Sequence, residues 1–415
     1  MIKRISILVM CILMLINIDV YAEEDLIVTV DEALKISTDS LDKQDAIDEK
    51  IDKLWDAYYQ AKSRKEQFEL TLENLENYEE LYDKKYKLNE TLSLEEQTEL
   101  EGYMKKYGDE PPYYTNQDIL EEFIIPGELL QTSIYAEISK LRNELDMIEN
   151  QVSINTMMQY NQLLSIYDSV DLSEELLRIS HESLLENTLK WTLGEISEYE
   201  FNIMKFEDSI SVMEHEVLLN KQENTEMIMT SLISDSVMID IEYVDYLNGI
   251  EDLYNVSPNH QELEDYLSSG LSNRVEIKNA QIDLEVKQNE FEVVTSYLSN
   301  ELLSLWVDAD IQLEEAVHIY DTSLINVQED ITNNYLMMLS SWNKYLDATE
   351  NYHLTISDYE EALLNYDLGE IVQLDMDIVE SKLLMYENQV RLALRDYKFQ
   401  LLKLNISSCM SMIEL

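Results

Sequence analysis

Leu193-Gly194-Glu195-Ile196 is a four-residue stretch that recurs as Leu368-Gly369-Glu370-Ile371, 175 residues later in the chain. The same offset, applied without gaps, aligns further identical residues over about fifty positions around the two stretches. These identities include Val152 with Val327, Tyr160 with Tyr335, Leu164 with Leu339, Ser165 with Ser340, Glu175 with Glu350, Glu186 with Glu361, Leu189 with Leu364 and Ile203 with Ile378. The agreement in register indicates an internal duplication.

Residues that break helices are scarce, since the chain has seven glycines and four prolines. Most of them cluster, whereas Gly194 and Gly369 stand alone, one in each copy. The segments 128–193, 195–248 and 271–368 contain no breaker, and their apolar residues recur at spacings of three and four. This pattern predicts long amphipathic helices of coiled-coil type that turn back at the two isolated glycines.

The predicted fold is therefore all-α and elongated, built of coiled-coil helical hairpins. Thr29 is the predicted N-cap of a first helix that continues to about Lys106. Residues 108–127, which hold several glycines and prolines, are the predicted first irregular connection. A second helix then runs to Gly194, and a third returns to about Ser231.

The repeat also predicts how the chain is divided. A short strand is predicted at Val237–Val244, and a turn is predicted near residues 297–310 because the offset places the counterpart of Pro126 there. In chain order the predicted segments are a signal peptide at 1–22, a first hairpin repeat at 23–231, a connecting segment at 232–261, a second hairpin repeat at 262–408 and a tail at 409–415.

The first 22 residues have the pattern of a secretory signal peptide. Lys3-Arg4 precedes an apolar run at 5–16, and the segment ends in Val20-Tyr21-Ala22. The mature chain is expected to begin near Glu23, outside the cytoplasmic membrane. Cys11 lies in the part that would be removed, so Cys409 alone would remain, and stability must then come from packing without an internal disulfide.

The charge balance limits the classes of partner. The chain has 29 basic and 85 acidic residues, a formal net charge of −56. Such a surface repels nucleic acid and anionic lipid, so neither is an expected partner. After residue 22 no apolar run is long enough for a membrane-spanning helix, so no direct helical span of a membrane is expected.

No pattern of residues indicates catalysis, a metal or a cofactor. The five histidines are far apart, and none has a second histidine or cysteine at metal-ligand spacing. The glycine-rich phosphate-binding loops and the nucleophile motifs of hydrolases are absent. Carboxylate pairs such as Asp375 and Asp377 are common by chance in so acidic a chain. The sequence therefore predicts a protein that is not an enzyme and that binds no cofactor or metal.

Four stretches in order resemble the TolC-like outer-membrane efflux protein family. They are VTVDEAL at 28–34, SNRVEIKNAQIDLEVKQ at 272–288, YDLGEIVQLD at 366–375 and DYKFQLLKLNI at 396–406. The resemblance covers nearly the whole chain after residue 22. It implies two helical hairpins per chain, a tunnel closed by three chains, and a conduit role together with a membrane-fusion-type adaptor and an inner-membrane transporter, of the ATP-driven type.

The resemblance also implies roles for residues at the two hairpin tips. Trp191 and Gly194 at the first tip, and Tyr366 and Gly369 at the second, would contact the adaptor. Glu200 and Asp375, which match through the internal offset, would be carboxylates at the tunnel entrance. The alternatives are packing of the last helical turn for the aromatic residues and ordinary solvated positions for the carboxylates.

The connections at 108–127 and 297–310 are too short to hold the paired membrane-spanning strands of many family members. We therefore expect a TolC-like chain without an evident β-barrel, located in the cell envelope or outside the cell. The alternative function is that of a secreted structural coiled coil or surface interaction protein without a transport role. An adaptor is a weaker fit, because adaptors need glycine-rich β-domains beside their hairpin and strand signals are scarce here.

Overall fold

A computed structural model of the chain describes residues 26–39, 42–233, 241–243, 247, 261–298 and 304–410. Nearly all of these residues are helical, as the all-α prediction requires. The α-helices are α1 (Val30–Asp39), α2 (Asp42–Tyr82), α3 (Leu94–Tyr107), α4 (Asn116–Ile119), α5 (Leu130–Thr192), α6 (Glu198–Ile233), α7 (Leu263–Asn273), α8 (Val275–Tyr297), α9 (Ser304–Asp367) and α10 (Gln373–Ser407). No helix in these ranges is both long and apolar enough to cross a membrane.

Two short strands, β1 (Leu26–Val28) and β2 (Ile241–Tyr243), pair in parallel, with Leu26 opposite Ile241. The strand β2 lies within the stretch where the sequence predicts one. Thr29 follows β1 and caps α1 as predicted: its N–H donates to Glu32 Oε2 (2.9 Å), and the Glu32 N–H donates to Thr29 Oγ1 (3.3 Å). The predicted signal peptide at 1–22 and most of the predicted connecting segment at 232–261 lie outside the described residues.

The prediction of one helix from Thr29 to about Lys106 is wrong. A π-helical turn at Asp83–Lys87 follows α2, and residues 88–93 are not helical. Asn89 takes a left-handed φ of 49°, and Ser93 then starts α3 with a capping box to Glu96, whose N–H donates to Ser93 Oγ (3.2 Å). The chain consequently folds back, and α3 packs against the end of α2.

The α2–α3 hairpin has its own apolar core, formed by Tyr78, Leu81, Leu92 and Leu100. The Tyr78 hydroxyl donates a hydrogen bond to the Gly108 carbonyl (2.6 Å) at the end of α3. The break in the helix therefore allows apolar residues on both sides of it to be buried against each other. The period of apolar residues alone did not reveal this reversal.

The irregular connection predicted at 108–127 is shorter than expected, because only residues 108–115 are non-helical. A capping box between Thr115 and Asp118 starts α4, and a π-helical segment, Leu120–Leu129, continues it. This segment contains Pro126, which has no N–H to donate and is accommodated where the helical hydrogen-bond pattern is already irregular. Gly127 packs there against Phe68 and Lys65 of α2.

The chain forms two compact units, and each one draws on both sequence repeats. Of the described residues, the first unit comprises those before Asp42, those within Glu149–Gly270 and those from Glu329 onward, and the second comprises those within Asp42–Ile148 and Leu271–Gln328. The core of the first contains Val30, Ala33, Met157, Tyr160, Leu163, Leu164, Met229 and Leu402.

In the second unit the helix break predicted near 297–310 is present, because α8 ends at Tyr297 and α9 begins at Ser304. The rings of Phe291 in α8 and Trp306 in α9 lie 5.5 Å apart, centroid to centroid, which places the two helices side by side.

Candidate partner-binding site at the hairpin tips

The two glycine turns have the same backbone structure. The helix α5 ends at Thr192 and α6 begins at Glu198, and the bounds of α9 and α10 repeat these positions at the 175-residue offset. Gly194 has a φ of 76° and Gly369 a φ of 74°, both in the left-handed region that glycine adopts without strain. The predicted turns are confirmed, and they match the duplication residue by residue.

The hydrogen bonds identify each turn as a Schellman motif. The Gly194 N–H donates to the Trp191 carbonyl (3.0 Å) and the Glu195 N–H to the Lys190 carbonyl (2.8 Å). At the second turn the Gly369 and Glu370 N–H groups donate to the carbonyls of Tyr366 (2.9 Å) and Asn365 (2.8 Å). The motif pairs the last carbonyls of the incoming helix and lets the chain reverse within five residues.

Helix-to-helix contacts show that the chain does reverse at both turns. His181 in α5 contacts Asp208 in α6, and further up Ser173 lies within hydrogen-bond distance of His215 Nδ1 (2.8 Å). In the second hairpin the rings of Trp342 in α9 and Tyr397 in α10 are 4.8 Å apart. The contacting residues are separated by more of the sequence the farther they lie from the turn, as expected for an antiparallel hairpin.

At the first tip Trp191 is held by an aromatic neighbour. Its ring stacks on Phe201 of α6, with centroids 4.8 Å apart and planes at 6°. The Trp191 residue nevertheless remains 41% exposed. The turn therefore presents part of a stacked aromatic pair to solvent, which is the kind of surface that a partner protein can cover.

At the second tip Tyr366 is held by a hydrogen bond instead. Its hydroxyl donates to Gln373 Oε1 (2.6 Å) in the first turn of α10, and the residue is 37% exposed. The local contacts of Trp191 and Tyr366 show that both side chains help to close their turns. Their partial exposure leaves both free to contact another molecule.

Glu200 and Asp375 lie at the third position of α6 and α10 and cap these helices. Glu200 Oε2 accepts hydrogen bonds from the N–H (2.8 Å) and the hydroxyl (2.8 Å) of Ser197. Asp375 Oδ2 accepts from the Val372 N–H (3.2 Å), and the reciprocal bond is missing because valine has no side-chain acceptor. Both carboxylates are exposed. A capping role leaves one face of each carboxylate open to solvent.

The cap predicts a pH effect on the first tip. The hydrogen bonds to Ser197, first from its backbone and then from its hydroxyl, lower the pKa of Glu200 below its ordinary value of 4.5. Because the pKa of Glu200 is lower in the folded chain, the cap contributes its full stabilisation of the fold above about pH 4.5. That stabilisation is lost as the pH falls through the lowered folded-state pKa. We expect NMR titration to give Glu200 a pKa below 4.5 in the parent chain. The Ser197→Ala variant keeps the backbone donor and loses the hydroxyl, so it should raise this pKa only part of the way back. A Glu200 pKa that is not lowered in the parent chain would contradict the cap.

Sequence reasoning missed an ionic contact that joins the two hairpins. Asp377 in α10, which is 3% exposed, accepts from Arg178 in α5 (3.0 Å) and from the Gln373 amide (2.6 Å). Contacts with Glu175 and then with Asp377 raise the pKa of the Arg178 guanidinium above its ordinary value. The internal offset places His353 and Asn202 at the corresponding positions, so the repeat gives no sign of this pair.

Each tip thus brings together the three residues predicted for it. Trp191, Gly194 and Glu200 lie in the first turn or its flanking helix ends, and Tyr366, Gly369 and Asp375 lie likewise in the second. Within the described ranges, no group of three His, Cys, Asp or Glu side chains could hold a metal ion.

Solved structures of low sequence identity share this arrangement of helices. The outer-membrane channel OprN matches with a TM-score of 0.52 and 12% identity, over 70% of this chain and 73% of its own. The CmeC outer membrane channel of Campylobacter jejuni matches with a TM-score of 0.50 and 15% identity, over 71% and 70%. The open state of the MtrE outer membrane channel of Neisseria gonorrhoeae matches with a TM-score of 0.50 and 11% identity, over 71% and 73%.

No protein-family model matches the sequence, and no curated protein matches it. Identities of 11–15% establish similarity of fold and no more. The duplicated hairpins, the paired glycine turns and the likeness to these channels together lead to one conclusion: the chain has a TolC-like fold.

Proposed function

We propose that this chain is a conduit component of an efflux or export system, without catalytic activity. The observation that carries the proposal is the pair of matching glycine turns on a fold similar to three outer-membrane channels over about 70% of both chains. In this proposal the segment 1–22 directs secretion and is removed. The remaining chain then acts in the cell envelope. It comprises the hairpin repeats at 23–231 and 262–408, the connection at 232–261 and the tail at 409–415.

The proposed assembly is a homotrimer that works with a membrane-fusion-type adaptor and an inner-membrane, ATP-driven transporter. Exposed leucines along α9, among them Leu336, Leu346 and Leu354, support self-association, because apolar side chains in water gain free energy when a neighbouring subunit covers them. Three copies would enclose a tunnel, with Glu200 and Asp375 at its entrance.

The adaptor is proposed to dock on the two tips through Trp191, Gly194, Tyr366 and Gly369. The Trp191 ring stacks on Phe201, and the Tyr366 hydroxyl is hydrogen-bonded to Gln373. Because these contacts already hold the two rings in place, binding would order few additional side chains. Fixed aromatic groups in partial contact with water are favoured anchors in interfaces for this reason.

Two measurements test the proposal. Light scattering on the purified chain should give the mass of three copies. In the Tyr366→Ala variant we expect unchanged helicity and a loss of adaptor affinity of about 1–2 kcal/mol, roughly tenfold, with the adaptor taken from the same gene neighbourhood. Tyr359→Ala, one heptad before the tip on the same helix, is the matched control.

A strict monomer that binds no adaptor would instead favour a secreted structural coiled coil or surface interaction protein. Equal losses of affinity for Tyr366→Ala and Tyr359→Ala would show that the tip is a structural turn and not the docking site.

A further inference from the structure

An open groove runs along α5 between α6 and α10, all within the first compact unit. Its larger part has a volume of about 740 Å³ and its smaller part about 310 Å³, and the two parts share Ser173, Leu176 and Glu214. Along α5 the groove extends from Ser165 to Leu184, roughly 30 Å at the rise of an α-helix. We name it the α5/α6/α10 groove.

The two walls of the groove carry apolar residues that repeat every seven residues. Ile378, Met385 and Leu392 of α10 line one side, and Ile210 and Val217 of α6 line the other. Met213, between the latter two, is 64% exposed, and Leu392 is 53% exposed. Because both walls repeat every seven residues, they match the side-chain spacing of another α-helix. Such a helix would pack its apolar side chains between the walls, as in a coiled coil.

The charged residues that α6 contributes to the groove follow the same period. Glu207, Glu214 and Lys221 of α6 all line it, one heptad apart. The nearby Arg178 pairs with three other carboxylates. Glu207, Glu214 and Lys221 themselves form no ion pair with the residues that the structure describes. Charges that flank an apolar seam at heptad spacing select the partner helix by sign.

From the walls and their charges, we propose that the α5/α6/α10 groove is a docking site for an amphipathic helix of a partner protein. That helix carries Lys or Arg beside its seam in two successive heptads, opposite Glu207 and Glu214, and an acidic residue in the heptad that meets Lys221. The site is separate from the hairpin tips and does not depend on the chain being a conduit.

A second copy of this chain is a poorer occupant than a basic helix. The long helix α9 has Lys344 as its only lysine or arginine, and α6 has eight acidic residues against Lys205 and Lys221. Most helices of a second copy would therefore bring further carboxylates to Glu207 and Glu214, and like charges held together oppose binding.

The test uses the purified chain and two labelled helical peptides of about three heptads with leucine seams. One peptide carries Lys, Lys and Glu in successive flanking positions, and the other carries Glu, Glu and Lys. Fluorescence anisotropy at physiological salt should show the first peptide binding at least tenfold more tightly than the second. The double variant Glu207→Lys/Glu214→Lys should reverse this preference, and Met213→Glu should weaken both peptides tenfold or more.

The matched control is Glu216→Lys/Glu223→Lys, which makes the same change in net charge at two exposed positions one heptad apart, outside the groove lining. We expect it to keep the parent preference. The proposal is overturned if both double variants shift binding equally, because the attraction is then a property of the whole charged surface. It is also overturned if the parent binds neither peptide, or if Met213→Glu abolishes self-association, which would assign the groove to a second copy.

Discussion

Replacing Asp168 by Asn should lower the free energy of unfolding by about 3–5 kcal/mol, the range expected when a buried charge loses its partner. Arg395 of α10 is 1% exposed, and its guanidinium donates to Asp168 Oδ2 of α5 (2.5 Å). The substitution keeps the size of the side chain but removes the carboxylate charge that pairs with the buried guanidinium. Urea unfolding followed by circular dichroism measures the difference.

The matched control is the same change in an exposed pair. Asp358 in α9 and Lys382 in α10 lie 3.1 Å apart with about half of each side chain in water. Asp358→Asn should cost about 1 kcal/mol or less, because solvent screens an exposed pair. The double variant Asp168→Leu/Arg395→Met should recover most of the stability lost by Asp168→Asn, since it removes both charges. Equal effects of the two single Asn variants would contradict this account of the buried pair.

Gly369→Val should lower the free energy of unfolding by about 1–3 kcal/mol and disturb the second tip. Its φ of 74° is in the left-handed region, where a β-branched side chain collides with its own backbone. Apart from the glycine and its two chain neighbours, no heavy atom lies within 4 Å of the position that a Cβ would occupy, so the cost is conformational and not a clash with other parts of the structure. Gly194→Val should behave alike, because its φ of 76° and open surroundings are the same.

Two further substitutions separate backbone strain from side-chain size. Gly369→Asn should cost much less than Gly369→Val, since asparagine adopts the left-handed conformation more readily. Gly102→Ala lies inside α3 with open space at its Cβ position and should stabilise the chain by about 0.5–1 kcal/mol. Thermal unfolding of the three variants checks the order. A Gly369→Val variant as stable as the parent would show that the turn tolerates another backbone conformation.

The all-α fold and the positions of the two turns could be predicted from the sequence because both depend on local rules. The period of apolar residues determines which face of each helix is buried, and an isolated glycine supplies the left-handed residue that a Schellman turn needs. Because the sequence is duplicated, the residues of one turn could be assigned from those of the other. The two turns have the same structure, with nearly identical φ values at Gly194 and Gly369. The residues of each candidate tip could be named for the same reason.

The prediction failed where local patterns are ambiguous. The stretch 88–93 contains no glycine or proline, so nothing in the apolar period marked the end of α2. The break is stabilised by burial of Tyr78, Leu81, Leu92 and Leu100 in one cluster, which brings together residues from both sides of it. At Pro126 the sequence predicted an irregular connection where the structure is helical. The reason is that a π-helical segment accommodates a residue that would interrupt a regular α-helix.

The sequence by itself determined the helical class, the duplication and the two glycine turns, since each is encoded in residues close together or repeated at a fixed offset. Only the tertiary structure decided which helix faces meet. It paired Arg178 with Asp377 and Arg395 with Asp168, and it aligned α5, α6 and α10 into one apolar groove. These contacts join positions that the repeat does not relate, because two copies that pack against each other acquire different neighbours and no longer share one environment.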